Sequence, residues 1–409
     1  MSFYFDNAAT MEPEQKMIDR YAELCEQYWW NPSSISESSM DTRRAIEDVR
    51  KRILTYINGR EGDKIIFTSG GTEANNLAIK GFCCEKYTHF LTKYDEKGYY
   101  DRQYRITPSV FASSVEHPSV LNPINWLYDM EIIDNYNIVN CNDDGTINQK
   151  SLEGRISYIQ DTKFHPIFAS IMMANNELGS VNDIKAVSEI IHKYNGILHV
   201  DAVQAFSHME INVQKMGIDM MSVSGHKFGA PHGIGFLYVR EGIDIDPLLH
   251  GGGQEKGYRS GTEDAPSIIM MGEIIDRIYK NFDIDNRNLK LCRNVLWTFL
   301  LTRYDVKFNT PPNGLNNIIN VTLNGIDNEQ LITNLDIFEN CQVSAGSACH
   351  AGIKKPSKVL QEIGLTTKEI NNTIRISLSR KINELEIKIF CEALKQQIER
   401  LKKTISKGG

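Results

Sequence analysis

The chain has 409 residues, 41% of them apolar and 24% charged, an ordinary balance for a globular protein with ample chain for a large core. A formal net charge of −7 argues against an intrinsic nucleic-acid or anionic-membrane surface, and no apolar run approaches the roughly 20 residues a membrane span needs. The eight cysteines (Cys25, Cys83, Cys84, Cys141, Cys292, Cys341, Cys349, Cys391) form no C-x-x-C pair and no metal-ligand spacing, so they read as reduced thiols of an intracellular protein and no metal site is expected.

The opening Met-Ser-Phe-Tyr-Phe-Asp lacks the basic and apolar regions of a secretory signal, which makes the cytoplasm the expected compartment. Residues 11–60 read as helical, interrupted at Trp29-Trp30-Asn31-Pro32-Ser33-Ser34. Apolar positions 46, 49, 53, 54 and 57 form a helical stripe. Strand-like and helix-like runs then alternate: strand 64–68, helix 73–82, strand 110–115, a helix from 118, strand 167–173, helix 183–194, strand 197–200 and strand 219–223. This alternation predicts an α/β fold, a mostly parallel sheet covered by helices on both faces. Beyond Gly251-Gly252-Gly253 and Gly261 the texture changes. Helices over 264–281, 285–301 and 382–404, with strands near 316–322 and 373–378, predict a smaller α+β domain. One stretch, Glu85 to Ser109, is tyrosine-rich and charged; we read it as a surface insertion ahead of a lid or partner site.

Four stretches carry chemistry. Met220-Met221-Ser222-Val223-Ser224-Gly225-His226-Lys227-Phe228 is a buried strand ending in a small turn that presents a lysine. Among apolar neighbours desolvation disfavours the ammonium and leaves a nucleophilic amine, which suits a Schiff base with pyridoxal phosphate. Alone, such a lysine more often covers a strand end. Gly196-Ile197-Leu198-His199-Val200-Asp201 ends a strand on an acid that could partner a pyridine nitrogen or cap a helix. Phe67-Thr68-Ser69-Gly70-Gly71-Thr72-Glu73 is a strand, a glycine turn and a helix start, a place for a phosphate dianion. It is neither a Walker loop nor a dinucleotide fingerprint. Ser344-Ala345-Gly346-Ser347-Ala348-Cys349-His350-Ala351-Gly352 sets a cysteine among small residues, the setting of an accessible thiol on a mobile loop.

Together, and with Phe5-Asp6-Asn7-Ala8-Ala9-Thr10 near one end and Arg375-Ile376-Ser377-Leu378-Ser379-Arg380 near the other, these motifs resemble the cysteine desulfurases of the NifS/IscS type, fold-type I pyridoxal phosphate enzymes. The resemblance covers nearly the whole chain. It implies a large cofactor-binding domain over 15–261 and a small domain of 1–14 and 262–409 carrying the cysteine loop. Lys227 would hold the cofactor and Asp201 would pair with its ring nitrogen. His117, in Ser114-Val115-Glu116-His117-Pro118, would stack on the ring and move protons. Asn176 and Gln204 would bond the ring oxygen, and Gly71, Thr72, Ser224 and His226 would form the phosphate cup. Thr262 would be donated by the other subunit, which implies a homodimer with shared active sites. Arg375, a charge in the apolar run Thr373-Ile374-Arg375-Ile376-Ser377, is suited to clamp the substrate α-carboxylate, helped by Asn176.

The implied reaction takes L-cysteine to L-alanine, with Lys227 as base and a persulfide on Cys349 that is passed to an acceptor protein. The resemblance leaves the sulfur's destination open among iron–sulfur cluster assembly, tRNA thiolation, thiamin-type cofactors and DNA modification. His350 departs from the small or hydroxyl residue common in relatives and could lower the thiol pKa or face solvent. Another enzyme of the same cofactor class, an aminotransferase or selenocysteine lyase, and a non-enzymatic docking scaffold are the competing readings. Transamination needs no thiol, and a scaffold needs none of Lys227, Asp201, Arg375 and Cys349.

Overall fold

The computed structural model describes residues 3–91, 107–162, 166–346 and 356–408. Cys349, His350 and most of the Glu85–Ser109 stretch lie outside them. The chain opens with β1 (Phe3–Tyr4), α1 (Gln15–Gln27) and α2 (Glu37–Tyr56). An alternating run follows: β2 (Lys64–Thr68), α3 (Gly71–Leu91), β3 (Ser109–Ser113), α4 (Pro118–Asp129), β4 (Tyr136–Val139) and α5 (Gln149–Thr162). It continues through β5 (Ile167–Met172), α6 (Ile184–Lys193), β6 (Ile197–Asp201), α7 (Val213–Met216), β7 (Met220–Ser224) and β8 (Gly235–Val239). The last part holds α8 (Ala265–Arg303), β9 (Val306–Phe308), β10 (Ile318–Leu323), α9 (Asn328–Glu339) and β11 (Cys341–Gln342). It closes with α10 (Lys358–Glu362), α11 (Thr367–Ile370), β12 (Thr373–Ser377) and α12 (Glu384–Gly408).

Seven strands form the main sheet in the order β2-β8-β7-β6-β5-β3-β4. Only β8 runs against its neighbours; the other pairings among β7, β6, β5, β3 and β4 are parallel. Every residue of β3, β5 and β7 is buried, as strands covered on both faces must be. One core cluster lies on each side of this sheet, and a separate one fills the smaller body around the antiparallel sheet β12-β10-β9. There Phe5 stacks on Phe390 at 4.0 Å, which pins the N-terminal strand to α12.

Two expected helices, 264–281 and 285–301, are one helix of 39 residues. No glycine or proline stands near Phe282-Asp283-Ile284 to stop it, so backbone hydrogen bonding continues through a change of packing partner. Its first half, Ala265 to Ile278, packs on the larger core, and Leu289 to Leu300 belong to the smaller one. The change of core thus falls inside α8, beyond the glycine turn at 261. A Cβ at Gly272 would lie 2.8 Å from Val49 Cγ2, so this glycine is what lets α8 approach α2 so closely. The final helix starts at Glu384 and runs on to Gly408, longer than its apolar pattern predicts.

Candidate active site

The C-terminal ends of β2, β3, β5, β6 and β7 lie on one edge of the sheet, the place where ligands bind in such folds. Lys227 sits on a single 3₁₀ turn, Gly225–Phe228, directly after β7. Its Nζ donates to the carbonyls of Ala8 at 2.8 Å and Ala9 at 2.7 Å. Burial pushes its pKa down to about 8; Arg375 adds to the effect, and Asp6 and Asp201 oppose it. Gln204, buried at the end of β6, donates to the same Ala8 carbonyl at 2.8 Å.

Asp201 ends β6 and is buried. Its Oδ2 accepts from Asn75 Nδ2 at 2.8 Å and its Oδ1 from the Val203 amide at 3.0 Å. Asp201 forms no ion pair among the described residues, so a buried carboxylate is left with neutral donors only. The same Asn75 amide donates to Ser119 Oγ at 2.9 Å, and Ser119 Oγ lies 2.8 Å from His117 Nδ1. His117 caps α4 through that nitrogen, which accepts the Ser119 amide at 3.1 Å. With Nδ1 accepting, the neutral ring carries its proton on Nε2. Desolvation in the cleft lowers the His117 pKa, with Asp201 opposing and Lys227 assisting, although the residue remains exposed in the single chain. Asn75 and Ser119 were not singled out from sequence; their role is visible only once the network is closed.

The start of α3 is pressed against the end of β7. A Cβ on Gly71 would stand 2.6 Å from Val203 Cγ2 and 3.3 Å from Ser224 Cβ, and Gly70 has a φ of +146°. Glycine at both positions leaves the first amides of α3 bare beside the exposed Thr72 and the buried Ser224. His226 Nδ1 lies 3.2 Å from Thr10 Oγ1, and its ring stacks on His232 at 5.0 Å. Burial, Lys227 and His232 push its pKa down to about 4.

Arg375 is 4% exposed. Its Nη2 donates to Asp6 Oδ1 at 2.6 Å and its Nη1 to the Asn176 carbonyl at 2.8 Å. Its Nε is buried without a partner. Asp6 is a partner that the apolar context of β12 gave no means to find. Asn176 belongs here through its backbone, with its side chain half-buried. Thr262 lies apart on the exposed turn before α8.

The aminotransferase class-V model matches residues 3–98 and 99–390 of this sequence. The chain belongs to the class-V aminotransferase family. Within that family it is similar to cysteine desulfurases. It is 34% identical to cysteine desulfurase IscS 1 of Archaeoglobus fulgidus, over 98% of this chain and 97% of that one. It is 35% identical to cysteine desulfurase IscS of Dictyoglomus turgidum, over 98% and 96%. Among solved structures, a NifS-like protein from Rickettsia africae superposes with a TM-score of 0.83 at 28% identity, covering 98% of this chain and all of that one. SspA in complex with cysteine gives 0.76 at 29%, covering 93% and 99%.

Class-V aminotransferases use pyridoxal phosphate, and the residues present fit it. A buried acid without a cation, a lysine whose ammonium is disfavoured by burial and a glycine-lined helix start are the three groups such a cofactor needs. Among the described residues no cluster could hold a metal ion.

Proposed function

We propose that this chain is a pyridoxal-phosphate-dependent cysteine desulfurase that converts L-cysteine to L-alanine, forms a persulfide on Cys349 and passes it to a sulfur-acceptor protein. The observation that carries the reading is the meeting of Lys227 and Asp201, at the ends of β7 and β6, with Arg375 of β12, which bonds the Asn176 carbonyl; Asp201 and Arg375 both lie within electrostatic reach of the lysine. Asp201 would hold the ring nitrogen, with Asn75 fixing its carboxylate and Ser119 orienting His117 against the ring. Gly71, Thr72, Ser224 and His226 would hold the phosphate, joined by Thr262 of the partner subunit in a homodimer. Asn176 and Gln204 would stand by the ring oxygen.

When bound, pyridoxal phosphate supplies an electron sink that acidifies the substrate's α-hydrogen. Lys227, with a pKa near 8, takes that proton at working pH. Arg375, held in place by Asp6 and the Asn176 carbonyl, would bind the substrate carboxylate. The Cys349 thiolate attacks the substrate sulfur. A sulfur–sulfur bond forms as the carbon–sulfur bond breaks, and the electron pair left on carbon takes up a proton to make the methyl group of alanine.

Residues 15–261 would hold the cofactor, and 1–14 with 262–409 would carry Cys349, with α8 serving both. The seven cysteines among the described residues are all free thiols, which supports the reducing cytoplasm as the compartment. No described helix is long and apolar enough to cross a membrane. Incubating the holoenzyme with L-cysteine and assaying alanine and reductant-released sulfide tests the reading. Equal amounts of the two are expected, and no alanine would overturn it.

A further inference from the structure

We propose that Glu177 is a positioning residue of this reaction: it closes a ring of hydrogen bonds tying both ends of the Cys349 segment to Arg375. The proposal rests on the desulfurase reading above.

The ring can be followed link by link. Upstream of Cys349, Ser344 pairs with β12 at Arg375 itself. The Arg375 amide donates to the Ser344 carbonyl at 2.7 Å, and the Ser344 amide to the Arg375 carbonyl at 3.2 Å. From there the Arg375 guanidinium reaches the Asn176 carbonyl at 2.8 Å. The next residue is Glu177, whose Oε2 accepts from Ser357 Oγ at 2.6 Å. Ser357 lies downstream of Cys349 and caps α10 by accepting the Leu360 amide at 3.1 Å. The upstream stem also runs against the same carboxylate, since a Cβ on Gly346 would lie 3.1 Å from Glu177 Oε2. Gly346 has a φ of +99°, which favours glycine there for a second reason.

Glu177 is itself held firmly. Its amide is accepted by Asn175 Oδ1 at 2.9 Å, and its carbonyl accepts from Asn320 Nδ2 at 3.2 Å. It is 7% exposed, a setting in which a carboxylate is costly unless it is partnered. Burial raises its pKa, with the Ser357 bond and Arg375 opposing. A plug for the fold at this place would be better made of carbon. A carboxylate is retained at a cost in solvation, and what it gains is a directional hold on Ser357, with the Gly346 backbone packed close beside it. The guanidinium that meets the substrate and the two stems of the segment that meets its sulfur therefore share one frame. A substrate that engages Arg375 acts on that frame through two consecutive residues, Asn176 and Glu177.

The experiment compares wild type, Glu177→Ala and Glu177→Gln as holoenzymes. Two readouts are taken: the visible spectral change on adding L-cysteine, which needs Lys227 and Arg375 but no Cys349, and the rate of alanine formation, which needs all three. We expect E177A to keep the spectral change and its KM within about threefold while kcat for alanine falls at least about tenfold. Glutamine can still accept from Ser357 and should restore most of kcat. A merely structural role would lower both readouts together or only the melting temperature, and either result overturns the proposal. So does an E177A enzyme with unchanged kcat. If E177A does not fold, Ser357→Ala carries the test with the same expected split, and an S357A enzyme with unaltered kcat overturns it. A wild-type enzyme that makes no alanine overturns the desulfurase reading itself, whereas an active wild type with an unaltered E177A overturns the positioning role alone.

Discussion

The depressed pKa of Lys227 makes a quantitative prediction about how the enzyme takes up its cofactor. Only the neutral amine is a nucleophile. With a pKa of about 8, roughly a quarter of Lys227 is neutral at about pH 7.5, against about one part in a thousand for an ordinary lysine. The shift is thus worth on the order of a hundredfold or more in reactive amine. The sign follows from the neighbours: burial and Arg375 lower the pKa, and Asp6 and Asp201 raise it. Adding pyridoxal phosphate to apoenzyme across about pH 6 to 10 should give an uptake rate that rises tenfold per unit and levels off near pH 8. Asp6→Asn removes a carboxylate that favours the ammonium and frees the charge of Arg375. Its midpoint should lie below that of wild type. The assay is stopped-flow absorbance of the bound cofactor. A midpoint at or above about 10, or an upward move in D6N, would refute the reasoning.

Other substitutions test separate parts of the account. Arg375→Gln removes charge-assisted bonds of about 1.5–3 kcal/mol each, so kcat/KM for L-cysteine should fall roughly ten- to hundredfold, and an unchanged value would show that Arg375 serves only Asp6. Glu255→Ala would leave the buried Arg50, whose Nη1 and Nη2 reach Glu255 at 2.9 and 3.1 Å, with the more exposed Glu47 at 3.1 Å as its remaining charged partner, and would also take the acceptor from the Phe67 amide. Denaturant unfolding should show a loss of about 3–5 kcal/mol; under about 1 kcal/mol would contradict the reading of a buried, mutually dependent pair. Gly71→Ala places a Cβ 2.6 Å from Val203 Cγ2, a strain of about 1–3 kcal/mol at the start of α3. The variant should lose cofactor faster than wild type on dialysis, and equal retention would remove this helix start from the phosphate site.

Much of this was legible in the sequence because the strands of a covered parallel sheet must be apolar throughout. Ile167 to Met172 and Met220 to Ser224 are buried at every position and read directly as strands. The continuity of α8 was not legible, because its apolar face changes partner midway and the pattern breaks where the helix does not. Lys227, Asp201 and the glycine turn stood out because each is chemically unusual in its local context. Asp6 could not be matched to Arg375, since 369 residues separate them and neither neighbourhood names the other. The carbonyls of Ala8 and Ala9 that hold Lys227 have no side-chain signature at all. Asn75, Ser119 and Glu177 look like ordinary helix and turn residues until the fold brings their partners to them.

The most direct measurement is a single-turnover reaction of holoenzyme with L-cysteine, followed by mass analysis of the peptide that contains Cys349 and by quantitation of alanine. The account predicts one added sulfur on Cys349 and one alanine per active site. It also predicts that Cys349→Ser still shows the cysteine-induced spectral change but yields neither product. A C349S enzyme that makes alanine at the wild-type rate would contradict it.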